Sequence, residues 1–321
     1  METIQTLTVA AVQMICQDGK VQENLEHATD LLLEAKAHGA SLTVFPELMP
    51  QGYGLTPEFW STGEPFDGTT THWLRNKSKE FNMYIGTSFL ECDGRDFYNT
   101  FVIGTPGGII AGMVRKCFPS MWEAYFFKGY HGPHYIDTEL ARIGVGICFD
   151  SHTYAVAREI ADSHVDIILM PHSYSTPSHP SKVVSQADID RLNDNPLRVA
   201  KLYNQWLGVP VILVNKSGKW DARVPKTILG QPSGYAFSGR SIILDADGNT
   251  CVQLGAEEEI ALMEIQLDPT CKKLSAPPKY SRYIYPGPAG REILRLIEWN
   301  GSRNYSKNEQ RKQAARLIVG T

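Results

Sequence analysis

Two apolar strands joined by an amphipathic helix open the chain, and this unit limits the possible folds more than any other feature. Residues 7–14 read Leu-Thr-Val-Ala-Ala-Val-Gln-Met, apolar on both faces as in a strand interior to a sheet. Val21, Leu25, Ala28, Leu32 and Ala35 then recur at helical spacing, with Gly39 suited to close the helix. Residues 42–45, Leu-Thr-Val-Phe, form the next strand. A strand, helix, strand unit of this length predicts parallel strands with a right-handed crossover. The rhythm returns: a helix over 70–81 before a strand at 83–90, and a strand at 143–147 before a helix at 153–163. A strand at 165–171, a helix at 194–207 and a strand at 209–215 follow. The pattern predicts an α/β fold.

Antiparallel pieces are grafted onto it. Residues 98–104 and 109–114 read as a hairpin turning at Pro106-Gly107-Gly108, and 239–245, 252–254 and 260–265 as further strands around the turn Asp247-Gly248-Asn249. No linker divides residues 1–268, which read as one domain. Residues 269–321 shift to Pro, Tyr, Lys and Arg, with a short amphipathic helix at 291–299. They hold eleven Lys/Arg against three Asp/Glu, leaving the arm at about +8 and the body at about −12. This arm is expected to pack on the body or on a neighbouring subunit, where its charge would complement the acidic body.

Composition narrows the function classes. A formal net charge of −4 with 42% hydrophobic and 21% charged residues fits a globular protein and gives no reason to expect a nucleic-acid partner. No apolar stretch reaches membrane length, and the first residues lack a basic start followed by an apolar run. The six cysteines are scattered, with no CxxC pair or zinc-like grouping. The expectation is a cytoplasmic protein without a metal or organic cofactor.

The chemistry centres on Cys148. Ile143, Val145 and Ile147 alternate with Gly144 and Gly146, so the thiol is delivered to the carboxyl end of a buried strand. Ser151-His152-Thr153 can cap the following helix, which would set the sulfur near a positive helix end and lower its pKa. Taken alone, such a cysteine is more often an inert core thiol. Glu47 and Lys116 change that balance, because each also follows a predicted strand at its carboxyl end. Cysteine can attack a carbonyl, a carboxylate can shuttle the proton to a leaving amine, and an ammonium with the Phe149 N–H can hold an oxyanion. Between Lys116 and Cys148 lies an aromatic insert, residues 121–134, that suggests a pocket wall or a subunit contact. It carries Glu123. A later strand ends in His172-Ser173-Tyr174, and another in Asn215, facing the same cleft.

Phe45-Pro46-Glu47 with Gly52-Tyr53, Arg115-Lys116 after a glycine-turn hairpin, and Gly146-Ile147-Cys148-Phe149-Asp150 resemble, in order and spacing, the Glu-Lys-Cys segments of the nitrilase (carbon-nitrogen hydrolase) superfamily. The likeness runs from Leu7 to about Leu267 and includes Asn215 and Phe237-Ser238-Gly239-Arg240-Ser241. It implies a four-layer α-β-β-α sandwich, with Glu47, Lys116 and Cys148 as catalytic residues and Glu123 as a second glutamate orienting the lysine. It also implies assembly through the face carrying the helix after Cys148, as a homodimer or higher homo-oligomer. Tyr53, Trp122, Phe149, His172, Ser173 and Tyr174 are the candidate substrate contacts. Nitrilases of this superfamily usually follow the cysteine with Trp-Glu. Phe149-Asp150 here favours a small amide, with an N-carbamoyl amine as the alternative. Further from the pattern lie a nitrile, acyl transfer from the same thioester, and a non-catalytic interaction protein. The arginine that carbamoylases and many amidases place after Cys-Tyr-Asp is absent, Ser151-His152-Thr153-Tyr154 standing there instead.

Overall fold

The computed structural model describes residues 4–181, 184–220, 234–273, 275–286 and 291–320. In chain order the elements are β1 (Gln5–Gln13), α1 (Val21–Ala37), β2 (Leu42–Val44), α2 (Thr69–Phe81), β3 (Tyr84–Asp93), β4 (Asp96–Gly104) and β5 (Ile110–Arg115). Then follow β6 (Tyr135–Asp137), β7 (Arg142–Val145), α3 (Tyr154–Asp162), β8 (Ile167–Pro171), β9 (Ser175–Pro177) and α4 (Gln186–Leu207). The chain continues through β10 (Val211–Val214), β11 (Lys219–Trp220), β12 (Tyr235–Phe237), β13 (Ile242–Leu244), β14 (Thr250–Gln253) and β15 (Glu259–Leu267). Helices α5 (Arg291–Lys307) and α6 (Glu309–Val319) end it.

One six-stranded sheet has the order β15-β1-β2-β3-β4-β5 and a second β14-β13-β10-β8-β7-β6, while β11, β12 and β9 form a small third sheet. β1 and β2 are parallel, as are β7 with β8 and β8 with β10. Strand alternation sorts the core into layers. Leu7, Val9 and Ala11 of β1 meet Ile167 and Leu169 of β8 and Ile212 and Val214 of β10 between the two large sheets. On the opposite faces Val12 packs with Leu25, Ala28 and Leu32 of α1 and Leu74 of α2. Ile168, Met170, Val211 and Leu213 pack with Val156 and Ile160 of α3 and Leu197, Ala200 and Tyr203 of α4. The result is the expected α-β-β-α sandwich.

Two element boundaries differ from the sequence reading. α4 starts at Gln186 rather than near residue 194, because Ser185 and Asp188 form a reciprocal capping box and the helix runs through Pro196. The arm carries two helices where the sequence suggested one short one, and α5 continues through Gly301. A Cβ there would lie 2.9 Å from Ala124 Cβ and 2.8 Å from Tyr125 Cδ2, so glycine lets the helix rest directly on the aromatic insert. Asn300 Nδ2 donates to Tyr125 OH at 2.6 Å across the same contact.

α6 is tied to the first sheet. Arg311 donates to Asp96 Oδ1 at 3.1 Å and to the Arg95 carbonyl. Tyr305 OH accepts from the Phe97 N–H at 2.8 Å and donates to Asp96 Oδ1 at 3.1 Å. No helix among the described residues is long and apolar enough to cross a membrane. Tyr305→Phe leaves the buried Phe97 N–H without its acceptor, and urea unfolding is expected to show a loss on the order of 1–3 kcal/mol. An unchanged midpoint would mean that the arm is anchored elsewhere.

Candidate active site

Three strand ends deliver the site. Glu47 lies three residues beyond β2, Lys116 directly follows β5 on the same sheet, and Cys148 lies three residues beyond β7 on the facing sheet. Glu47 and Lys116 are 0% exposed, Glu123 1% and Cys148 7%. Lys116 Nζ donates to Glu47 Oε1 at 2.6 Å and to Glu123 Oε1 at 2.8 Å. Asn99 Nδ2 donates to the same Glu47 oxygen at 2.7 Å. The other oxygen, Glu47 Oε2, is buried and has no hydrogen-bond partner among the described residues.

Glu123 sits in a single-turn helix, Met121–Tyr125, whose capping box it completes: its Oε2 accepts from the Ser120 N–H at 2.5 Å. Tyr53 OH donates to Glu123 Oε1. The insert therefore places a carboxylate against Lys116. Tyr53, read as a substrate contact, instead has its hydroxyl turned to that carboxylate. Trp122 is buried in the apolar cluster with Leu48, Tyr53 and Phe126.

Cys148 opens a separate single-turn helix, Cys148–His152, with φ +47 at the cysteine. A non-glycine residue in the left-handed region costs about 1–2 kcal/mol, and Ser151 Oγ holds the strained turn by donating to the Cys148 carbonyl at 2.5 Å. α3 begins only at Tyr154, and Thr153 Oγ1 donates back to the Asp150 carbonyl at 2.8 Å rather than capping α3. The sulfur is thus not at the end of α3, correcting the sequence reading. The Phe149 N–H lies in the first turn of the short helix, where no intrahelical acceptor is available. Asp150 links this loop to the lysine strand, accepting from the Cys117 N–H at 2.7 Å and the Phe118 N–H at 2.8 Å.

The electrostatics also differ from the expectation of an acidified thiol. Burial, with the Glu47 charge next, holds the Cys148 thiol well above its usual range, while Lys116 and the Ser173 backbone N–H oppose it. Burial alone would raise the Glu47 carboxyl, but the Lys116 ammonium, His172 and Lys216 outweigh it and hold Glu47 below the usual range. Glu123 is pushed up to about 7 by burial, against Lys116 and with Glu47 adding to the rise. Burial would lower Lys116, yet the two glutamates keep it well above its usual value. These directions favour a protonated thiol and an ionised Glu47.

Around the thiol, Ser173 Oγ donates to the Glu47 carbonyl at 2.9 Å, clasping two strand ends. His172 Nδ1 donates to the Met170 carbonyl at 2.9 Å, which leaves Nε2 as a buried acceptor without a partner among the described residues. Burial lowers His172 to about 4, so the ring is neutral. Tyr174 stacks on His152 with ring centroids 6.3 Å apart, and Phe149 stacks on the same imidazole with centroids 6.2 Å apart. Asn215 is a structural clamp, binding the Tyr174 backbone, Ser238 and the Gly239 carbonyl. Sequence reasoning missed Asn99, Asp150 as a link, and the arm residues Arg282 and Tyr283, which lie against the Phe149 ring. Their positions depend on strand register and on the returning arm, which leave no local signal. Among the described residues no group of three or more His, Cys, Asp and Glu side chains could hold a metal ion.

Residues 8–271 match the family model of the carbon-nitrogen hydrolases. The chain is 29% identical over 274 residues to an N-carbamoylputrescine amidase of Solanum lycopersicum, covering 82% of this chain and 86% of that one. It is 29% identical over 266 residues to a nitrilase of Pyrococcus abyssi, covering 81% and 89%. Its fold matches the crystal structure of a carbon-nitrogen hydrolase from Helicobacter pylori with a TM-score of 0.71 at 23% identity, over 82% of this chain and 90% of that one. The chain belongs to the carbon-nitrogen hydrolase family and is a hydrolase of carbon–nitrogen bonds.

Proposed function

We propose that the protein hydrolyses a small linear amide through a thioester on Cys148, with Glu47 as general base and acid, Lys116 as oxyanion donor, and Glu123 holding Lys116. The observation that carries this reading is the Lys116 ammonium bridging Glu47 and Glu123 while the second Glu47 oxygen stays unpartnered. Glu47 takes the thiol proton and the sulfur attacks the carbonyl carbon. The developing oxyanion is held by Lys116 Nζ and the Phe149 N–H. Collapse expels ammonia or an amine carrying the proton from Glu47. Water deprotonated by Glu47 then attacks the thioester, and collapse releases the acid and restores the thiol. The raised thiol requires a base in place, and an ionised Glu47 supplies it.

Trp122, Phe149, His172, Ser173 and Tyr174 form the proposed substrate surroundings, with the free His172 Nε2 as acceptor for a substrate N–H. An N-carbamoyl amine is the second reading, favoured by the curated relatives named N-carbamoylputrescine amidase. Six free cysteines support a reducing compartment, the cytoplasm. Assembly as a homo-oligomer through the face carrying α3 is part of the same proposal and rests on the family resemblance.

A panel of amides, carbamoyl compounds and nitriles with ammonia detection tests the reading. Release of carbon dioxide together with ammonia identifies the carbamoyl substrate, and turnover of nitriles alone would overturn both. Cys148→Ala is expected to abolish turnover while circular dichroism is unchanged, and a variant keeping most activity would sink the nucleophile assignment. Glu47→Gln should lower kcat by roughly 10²–10⁴-fold. Because Glu47 works as a carboxylate held below its usual range, wild-type kcat/KM should fall on the acid side only as pH drops through that lowered pKa. An acid limb near neutrality that persists in Glu123→Gln, which removes the carboxyl pushed up to about 7, would contradict Glu47 as the base.

A further inference from the structure

One buried charge takes no part in the proposed reaction. Lys216, just past β10, is 0% exposed, and among the described residues it faces no carboxylate at ion-pair distance. Its Nζ donates to the Leu48 carbonyl at 3.2 Å and lies 5.5 Å from the Tyr53 ring centroid and 5.6 Å from that of Phe237. Both contacts lead to the proposed catalytic carboxylates. Leu48 immediately follows Glu47 and has φ +48, and its N–H is fixed by Ser88 Oγ at 2.7 Å. Tyr53 is the residue whose hydroxyl holds Glu123. Glu47, Glu123 and Asp150 are buried carboxylates and Lys116 and Lys216 buried ammoniums, and of the carboxylates Glu47 and Glu123 act on the thiol.

We infer that Lys216 is a positioning residue of this site, an ammonium behind it that fixes the strained turn after Glu47 and supplies positive charge to balance the catalytic carboxylate. The inference rests on the hydrolase reading given above. A buried lysine without a carboxylate partner is costly, and a purely apolar side chain would pack against Tyr53 and Phe237 without that cost. The groups acting on Lys216 are consistent with a charge directed at the site: Cys16 and Asp18 on the loop after β1, and Glu47 and Cys148 in front. Burial outweighs these four and holds the Lys216 ammonium below the usual lysine range, although each of them favours the charged form. From the Glu47 side, the groups acting on its carboxylate are Lys116, His172 and Lys216. Of these, Lys116 is shared with Glu123 and His172 is neutral, which leaves Lys216 as the cation not already paired.

The test compares Lys216→Met, Lys216→Gln and Lys216→Arg in the full-length protein. Gln keeps a donor for the Leu48 carbonyl without the charge, and Arg keeps the charge. Two profiles are read: the acid limb of kcat/KM, and the pH dependence of Cys148 alkylation by iodoacetamide, located by peptide mass. Loss of the cation disfavours both the Glu47 carboxylate and the Cys148 thiolate, so both midpoints should move upward by about half to one unit in Met and Gln and return in Arg. Midpoints unchanged in Met and Gln, with only melting temperature lowered, would overturn the inference and leave Lys216 structural. If Met does not fold, Gln decides the matter. Alkylation needs no turnover, so a shift there without any amide hydrolysis by the wild type would count against the hydrolase reading and not against Lys216.

Discussion

Removing an ammonium and a carboxylate from water costs several kcal/mol per ion, and only close pairing offsets it. Lys116 meets that condition with Glu47 on one side and Glu123 on the other, all essentially without solvent exposure. Much of the surrounding structure can be understood as support for this cluster. Asn99 fixes the Glu47 oxygen that Lys116 uses, Tyr53 and the Ser120 N–H fix Glu123, and α5 packs on the insert that carries it. Loss of one partner would leave an uncompensated buried charge, so the cluster constrains several elements at once.

The sandwich is what brings these groups together. Glu47 and Lys116 come from one sheet and Cys148 from the other, and the apolar layer of Val9, Ile167 and Ile212 holds the sheets face to face. The left-handed turns at Leu48 and Cys148 then redirect the chain just after the proposed base and at the proposed nucleophile. Backbone strain is concentrated where the proposed chemistry is, and a hydrogen bond from the Leu48 N–H to Ser88 Oγ and one from Ser151 Oγ to the Cys148 carbonyl hold it there.

The layer architecture was legible because strand alternation in residues such as Leu7, Val9 and Ala11 is a local signal. Glu47, Lys116 and Cys148 could be singled out because each lies just past a readable strand. Asn99 could not, since its approach to Glu47 depends on the β3–β4 register and on a contact 52 residues away in sequence. The contact of the Tyr53 hydroxyl with Glu123 was illegible for a similar reason: it reaches into a distant insert. The arm was underestimated because Gly301 looks like a helix stop, while its missing side chain is what allows α5 to touch Ala124 and Tyr125. The raised Cys148 thiol depends on burial and on Glu47, neither of which its own segment displays.

The central claim is that Cys148, and no other of the six cysteines, becomes acylated during turnover. Acid quenching of the enzyme in the steady state with a good amide substrate, followed by peptide mass spectrometry, measures this directly. The account requires the acyl mass on the peptide containing Cys148. Rapid turnover with that peptide always unmodified, or the acyl group on Cys16 or Cys117 instead, would contradict it.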